Sequence, residues 1–270
     1  MFATSSKARL TNHDLGRFTG GTLFHRIARV VCGSGCLPRK ELFEAWEVAR
    51  RVRRRFRGGR IVDLCAGHGL LGQIMLLLDD SSSEVLLADQ ALPASCSTLA
   101  RAIATEWPKL RGRVTLLEAS LAQVELREDD VVVSVHACGG LTDAVIELAT
   151  AARSRLAVMP CCHDLDSAPS GGLTGWLNGP LAVDVVRATN LRASGWQVWT
   201  QTIPATITPH NRLLIAEPPP ETSIRRPTRD STAAAQPDAP AEPLRDRCEP
   251  HGCAGTSRRC APADSVRRRS

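Results

Sequence analysis

Residues 60–72 read Arg60-Ile61-Val62-Asp63-Leu64-Cys65-Ala66-Gly67-His68-Gly69-Leu70-Leu71-Gly72. An apolar run ends on an aspartate, passes through a glycine-rich turn and opens into a leucine-rich stretch. That order predicts a strand, a tight loop able to approach a ligand with its backbone, and a helix. The pattern then repeats. Apolar strands are predicted at 60–64, 85–88, 114–117, 131–135 and 156–159, with helical periodicity at 70–78, 94–106 and 141–152 between them. Alternation of this kind specifies a parallel sheet covered by helices on both faces. After a further helix at 181–193, two strands at 196–203 and 212–216 are joined by a short polar link, 204–211, too short for a crossover helix. They must pair as an antiparallel hairpin.

The 270 residues suit one large domain or two small ones, and 43 % of them are apolar, enough for a core. No apolar run reaches the ~18–20 residues of a membrane span. The first seven residues, Met1 to Lys7, carry no apolar stretch of the secretory type. Ten cysteines in a chain of this length read as reduced thiols of a cytoplasmic protein rather than a disulfide scaffold.

The net charge of +6 is unevenly spread: +9 over residues 1–59, −6 over 60–217 and +3 over 218–270. These three segments are the expected basic helical region, strand–helix domain and disordered Pro/Ala/Arg-rich tail. Cys248, His251, Cys253 and Cys260 in the tail match no common zinc-finger spacing. In the basic region, Leu42, Ala45, Trp46, Ala49, Val52 and Phe56 recur at helical steps between Pro38 and Gly58-Gly59. Arg50, Arg51, Arg53, Arg54, Arg55 and Arg57 are expected on the opposite face, which reads either as a solvated surface or as a phosphate contact for RNA through Arg50, Arg53, Arg54 and Arg57.

Gly67-x-Gly69-x-x-Gly72 alone suits a dinucleotide as well as a nucleoside ligand. Asp63, four residues before Gly67, decides between them. A carboxylate there repels a pyrophosphate and attracts the ammonium and sulfonium of S-adenosylmethionine. Asp89, 20 residues after Gly69, ends the second strand and is placed to accept ribose hydroxyls; Glu118 ends the third, where it can meet an adenine amino group. Cys65, Gly67, Gly69 and Ser134 complete the expected cofactor contacts.

Chemistry in such a sheet belongs at the carboxyl ends of the strands. The fourth runs into Ser134-Val135-His136-Ala137-Cys138 and the fifth into Met159-Pro160-Cys161-Cys162-His163. His136 and His163 are the candidate bases for methyl transfer to a hydroxyl. Cys161 and Cys162 read as small packing residues or, with Cys138 and a histidine, as ligands of a structural zinc; no metal is expected.

His136-Ala137-Cys138-Gly139-Gly140-Leu141-Thr142-Asp143 followed by Pro160-Cys161-Cys162-His163, with Asp63-Leu64-Cys65-Ala66-Gly67-His68-Gly69, resembles a subgroup of class I methyltransferases. That subgroup includes bacterial methyltransferase-domain proteins and is distantly similar to tRNA 2′-O-methyltransferases. The resemblance spans roughly 20–217. It implies a Rossmann-like seven-stranded sheet, mostly parallel with a C-terminal antiparallel hairpin, and S-adenosylmethionine as cofactor. It leaves the acceptor open, and the alternative is a non-catalytic nucleic-acid-binding protein that keeps this fold.

Overall fold

The computed structural model describes residues 2–220. All but the first three residues of the expected 218–270 tail, its Cys/His group included, lie outside the described residues. Seven strands form one sheet: β1 (Ile61–Leu64), β2 (Val85–Asp89), β3 (Val114–Glu118), β4 (Val131–Ser134), β5 (Arg155–Val158), β6 (Gln197–Thr202) and β7 (Arg212–Glu217). Their order is β3-β2-β1-β4-β5-β7-β6. The first five are parallel; β7 runs antiparallel to both β5 and β6, with Leu156 opposite Ala216 and Gln197 opposite Glu217. This is the predicted Rossmann-like sheet with its closing antiparallel pair.

Six helices accompany it: α1 (Leu23–Ser34), α2 (Arg39–Arg55), α3 (Leu70–Leu78), α4 (Ala94–Glu106), α5 (Leu141–Ala151) and α6 (Gly179–Ala193). Strict alternation along the strands divides the core into two layers. Ile61, Val85, Leu87, Val131, Val133, Ala157 and Ile215 face the layer that contains α1 to α4. Val62, Leu86, Val132, Leu156, Val158 and Ala216 face the one with Val145 and Ala149 of α5 and Leu191 of α6. Residues 2–59 are thus part of the first layer: Leu10, Ile27, Val31, Leu42, Val48 and Val52 are fully buried in it. Helix α1 was not predicted; Thr22 caps it by accepting from the His25 N–H at 3.3 Å and Gly35 ends it in the left-handed region. No helix among the described residues is long and apolar enough to cross a membrane.

The arginine face of α2 needs correction. Arg53 sits four residues from Ala49 and three from Phe56, which places it on the inward side of the helix. It is 2 % exposed, donates to the Met75 carbonyl at 3.1 Å and pairs with Asp79 at 3.2 Å. Burial holds its guanidinium at about 10, below the arginine range, against the pull of Asp79. Burial pushes Asp79 upward in turn, but hydrogen bonds from Ser81 and the Gly58 N–H, with the Arg53 charge, overcome it and hold the carboxyl at about 2. Arg50 and Arg51 both pair with Glu47 of the preceding turn, Arg55 lies 3.6 Å over the Trp199 ring, and Arg57 donates to the Leu78 carbonyl. Arg50, Arg51, Arg53, Arg55 and Arg57 therefore have partners within the chain, and of the six only Arg53 is buried.

Arg53→Met should destabilise the chain by about 3–5 kcal/mol in urea unfolding at pH 7, because it strands the Asp79 carboxylate in the interior. Arg54→Gln, at an exposed position, should change it by less than about 0.5 kcal/mol. The depressed Asp79 contributes stability that is complete above pH ~4 and lost as pH falls towards 2. In the Arg53→Met variant that acid limb should be shallower.

Candidate functional site

The strand order reverses between β1, which leads on to β2 and β3, and β4, which leads on to β5. Loops leaving the two strands part there and leave a crevice. A cavity of about 260 Å³ occupies this position, walled by residues 65–71, Asp63, Val135 and His136, by Leu37 just ahead of α2, and by Glu41 and Ala45 in its first half.

The loop that floors it is shaped by close approach. Gly67 and Gly69 have φ of +51° and +70°, and Cys65, a non-glycine residue, sits at +55°. A left-handed cysteine costs of order 1 kcal/mol and is held only by its surroundings. A Cβ on Gly67 would meet nothing within 4 Å, so the backbone presents an open surface at that point. Asp63 lies beneath, 2 % exposed, its Oδ2 accepting from the Gly72 N–H at 2.9 Å. Burial, aided by the neighbouring Asp89 charge, raises its pKa to about 7 against the opposing Gly72 hydrogen bond. Burial, with Asp89 and Asp63, likewise pushes the Cys65 thiol up to about 11.

Asp89 and Glu118 stand opposite each other at the ends of β2 and β3, as predicted. Asp89 accepts from the Gly67 N–H at 2.9 Å and so fixes the glycine loop; Glu118 accepts from the Leu92 N–H at 3.3 Å. Both lie beyond the walled part of the cavity. Ser134, at the end of β4, is 2 % exposed, its hydroxyl has no hydrogen-bond partner, and it is not among the residues that wall the cavity.

The two candidate bases are separated by the structure. His136 lines the cavity with its side chain 42 % exposed. His163 does not line it: its side chain is 2 % exposed and its Nε2 lies 2.8 Å from Asp184 of α6. Asp184 also accepts from Arg187 and Arg212, and Arg187 makes a two-pronged contact with Asp143 at 2.7 Å. His163 is thereby an anchor of the loop after β5, not a group open to substrate, which corrects its assignment as a catalytic base.

Three residues that sequence reading missed complete the site. Glu44, 1 % exposed, points one carboxylate oxygen at Lys40 (3.1 Å) and the other, without a hydrogen bond, at His136 Nε2 (3.7 Å). Glu41 stands 3.9 Å from His68, whose Nδ1 contacts the Ser95 hydroxyl at 2.7 Å. Burial, then the Glu44 charge, raises the Glu41 carboxyl against the effect of Lys40. Burial holds His136 below the usual histidine range despite Glu44, and holds His68 low as well. The missed signal was Glu41, Glu44 and Glu47 at three-residue steps, an acidic line within a basic helix.

Beside His136, the sulfurs of Cys138, Cys161 and Cys162 lie within 4.8 Å of one another. Cys138 and Cys162 are exposed and Cys161 half-buried, which does not fit small residues filling a core. The loop between β5 and α6 also exposes Leu165 (53 %) and Trp176 (90 %).

Residues 42–167 match the family model of a methyltransferase domain. No curated protein sequence matches the chain. Among solved structures, an O-methyltransferase family protein from Burkholderia thailandensis is 18 % identical, over 77 % of this chain and 68 % of its own, with a TM-score of 0.42. The mitomycin 7-O-methyltransferase is 19 % identical over 77 % and 63 %, with a TM-score of 0.44. A tRNA methyltransferase from B. subtilis is 11 % identical over 64 % and 66 %, with a TM-score of 0.43. The fold rests on the strand order and register described above rather than on these likenesses.

Asp63 binds a proton in the folded chain at pH values where the unfolded chain has lost it, so its contribution to stability is complete below pH ~4 and disappears as pH rises to 7. Asp63→Asn removes this titration. Its melting temperature should exceed that of the parent at pH 8 and fall below or equal it at pH 4, as read by calorimetry at both values.

Proposed function

We propose that this chain is an S-adenosylmethionine-dependent methyltransferase. The observation that carries the reading is the cavity at the β1/β4 reversal, with a buried carboxylate on one side and a half-exposed histidine on the other, within the stretch that matches the methyltransferase-domain model. The donor set suits this cofactor. Asp63 offers a buried carboxyl that a bound cation would draw into its ionised form, Asp89 and Glu118 offer acceptors for hydroxyl and amino groups, and the open side of Gly67 admits a ligand against the backbone. When bound, the cofactor supplies an electrophilic methyl group on its sulfonium.

The chain's own residues then have distinct tasks. Gly67 and Cys65 shape the floor, while Asp89 holds the loop until hydroxyl groups compete for it. His136, neutral at pH 7, accepts the acceptor's proton. A proton on its Nε2 facing Glu44 leaves Nδ1 free to take it, and the Glu44 charge then stabilises the resulting imidazolium. Leu37, Ala45 and Leu70 exclude water from the inner wall.

Isothermal calorimetry with S-adenosylmethionine tests the reading, and an absence of binding sinks it. Asp89→Ala should weaken cofactor binding by about 1–3 kcal/mol through the loss of a charged acceptor. Once an acceptor is found by following labelled methyl into fractionated extract, His136→Ala should lower kcat by about 10²–10⁴-fold with cofactor affinity retained. Glu44→Gln should lower kcat less and shift the acidic limb of the pH–rate profile downward, because the Glu44 charge raises the His136 pKa. Equal rates in parent and His136→Ala protein would remove the histidine from the mechanism.

A further inference from the structure

We propose that Cys138, Cys161 and Cys162 form a binding site for one thiophilic divalent cation, Zn²⁺, with its fourth position open to solvent. The inference is independent of methyl transfer. Three side chains from two loops, one after β4 and one after β5, bring their sulfurs together, at 3.2 Å for Cys138–Cys161 and 3.8 Å for Cys161–Cys162. Tetrahedral Zn–S bonds of about 2.3 Å set ligand sulfurs about 3.8 Å apart, whereas a disulfide needs about 2.05 Å. The Cys161–Cys162 separation equals that expected for shared ligation, Cys138–Cys161 would open by about 0.6 Å around an ion, and both lie well outside a covalent bond.

The site is built rather than incidental. The Gly139 N–H donates to the Cys162 carbonyl at 3.3 Å, tying the two loops together. Gly139 itself is left-handed at φ +58°, which turns the chain directly after Cys138. On the other side, His163 is fixed to Asp184, so the segment bearing Cys161 and Cys162 is anchored one residue away. Neither ring nitrogen of His163 joins the three sulfurs, so the alternative reading of the sequence in which a histidine completes a zinc site is not the arrangement found among the described residues. Thiolate sulfur is soft and selects zinc and its heavier relatives over magnesium or calcium. Loading balances as three thiols releasing three protons to solvent while one Zn²⁺ binds three thiolates, leaving a site of charge −1 whose fourth ligand is water. Cys138 and Cys162 are exposed, so this last position faces outward, two residues along the loop from His136.

The test uses the full chain carrying Cys248→Ser, Cys253→Ser and Cys260→Ser, so that the tail contributes no thiol ligand. Protein purified without a metal-affinity tag, reduced and stripped with chelator, is titrated with Zn²⁺ against a chromophoric competitor and separately with Co²⁺. One ion per chain and cobalt–thiolate charge-transfer absorption are expected. Cys138→Ser and Cys162→Ser, both at exposed positions, should each weaken binding at least about tenfold, and Cys36→Ser should not. If Cys161→Ser fails to fold, those two variants still decide the matter. No ion bound, or binding unchanged in both variants, overturns the site. So does a thiol count that falls by two in air and is restored by reductant without any ion binding, which would identify a Cys138–Cys161 disulfide pair. Calorimetry with S-adenosylmethionine on the stripped protein reports separately on the proposed cofactor cavity.

Discussion

Gly72 sets the distance between helix α3 and the sheet, and the site follows from that distance. A Cβ at this position would come within 2.7 Å of Val85 Cγ2, 2.9 Å of Leu87 Cδ2 and 3.1 Å of Asp63 Cβ. Only glycine lets the first turn of α3 rest on β1 and β2 this closely. The contact brings the Gly72 N–H to the Asp63 carboxylate and satisfies one helix-terminal donor and one buried acceptor together. It also compresses the chain between Leu64 and Leu70, which forces the left-handed conformations of Cys65, Gly67 and Gly69. A wider gap would leave Asp63 without its partner and the loop without its shape.

Helix α2 closes the remaining side of the cavity, and its charges divide by direction. Arg53 runs inward to the end of α3 and locks the two helices through Asp79 and the Met75 carbonyl. Glu41 and Glu44 face the crevice from the first half of the same helix, close to His68 and His136. Arg50 and Arg51 share Glu47 outside. A segment of high positive charge thereby lends negative charge to the site, because side-chain direction and not net composition decides what a helix presents.

The seven strands and five of the six helices could be read from the sequence because each obeys a short period, 2 or 3.6, that needs no tertiary information. Asp63, Asp89 and Glu118 were legible for the same reason: strand ends in a parallel sheet define where they stand. Arg53 was partly legible. Its spacing from Ala49 and Phe56 put a charge on the apolar side, but its partner Asp79 lies 26 residues further along and no local pattern links them. Glu44 and His136, and likewise Cys138 with Cys161, meet only once β1, β4 and β5 are laid side by side. The roles of His136 and His163 could not be separated by residue type, since what separates them is burial and the carboxylate of Asp184.

Polar groups without good partners gather at one end of this fold. The described residues contain four buried side-chain polar atoms with no hydrogen bond, on Arg39, Glu44, Gln73 and Ser134. Glu44 faces His136 of the cavity, Ser134 ends β4 beside it, and Gln73 lies on α3 next to the residue that caps Asp63. Asp63 itself is buried where ionisation is unfavourable near neutral pH. Each such atom costs of order 1–3 kcal/mol while it lacks a partner. A sequence that is otherwise consistent with its fold departs from that consistency where a ligand supplies the missing interactions. Ligand binding at a concentration a hundredfold above its dissociation constant returns about 2.7 kcal/mol. The cost is therefore concentrated around the carboxyl ends of β1 and β4, with Arg39 at the start of α2 apart from it, and the remainder of the sheet carries it.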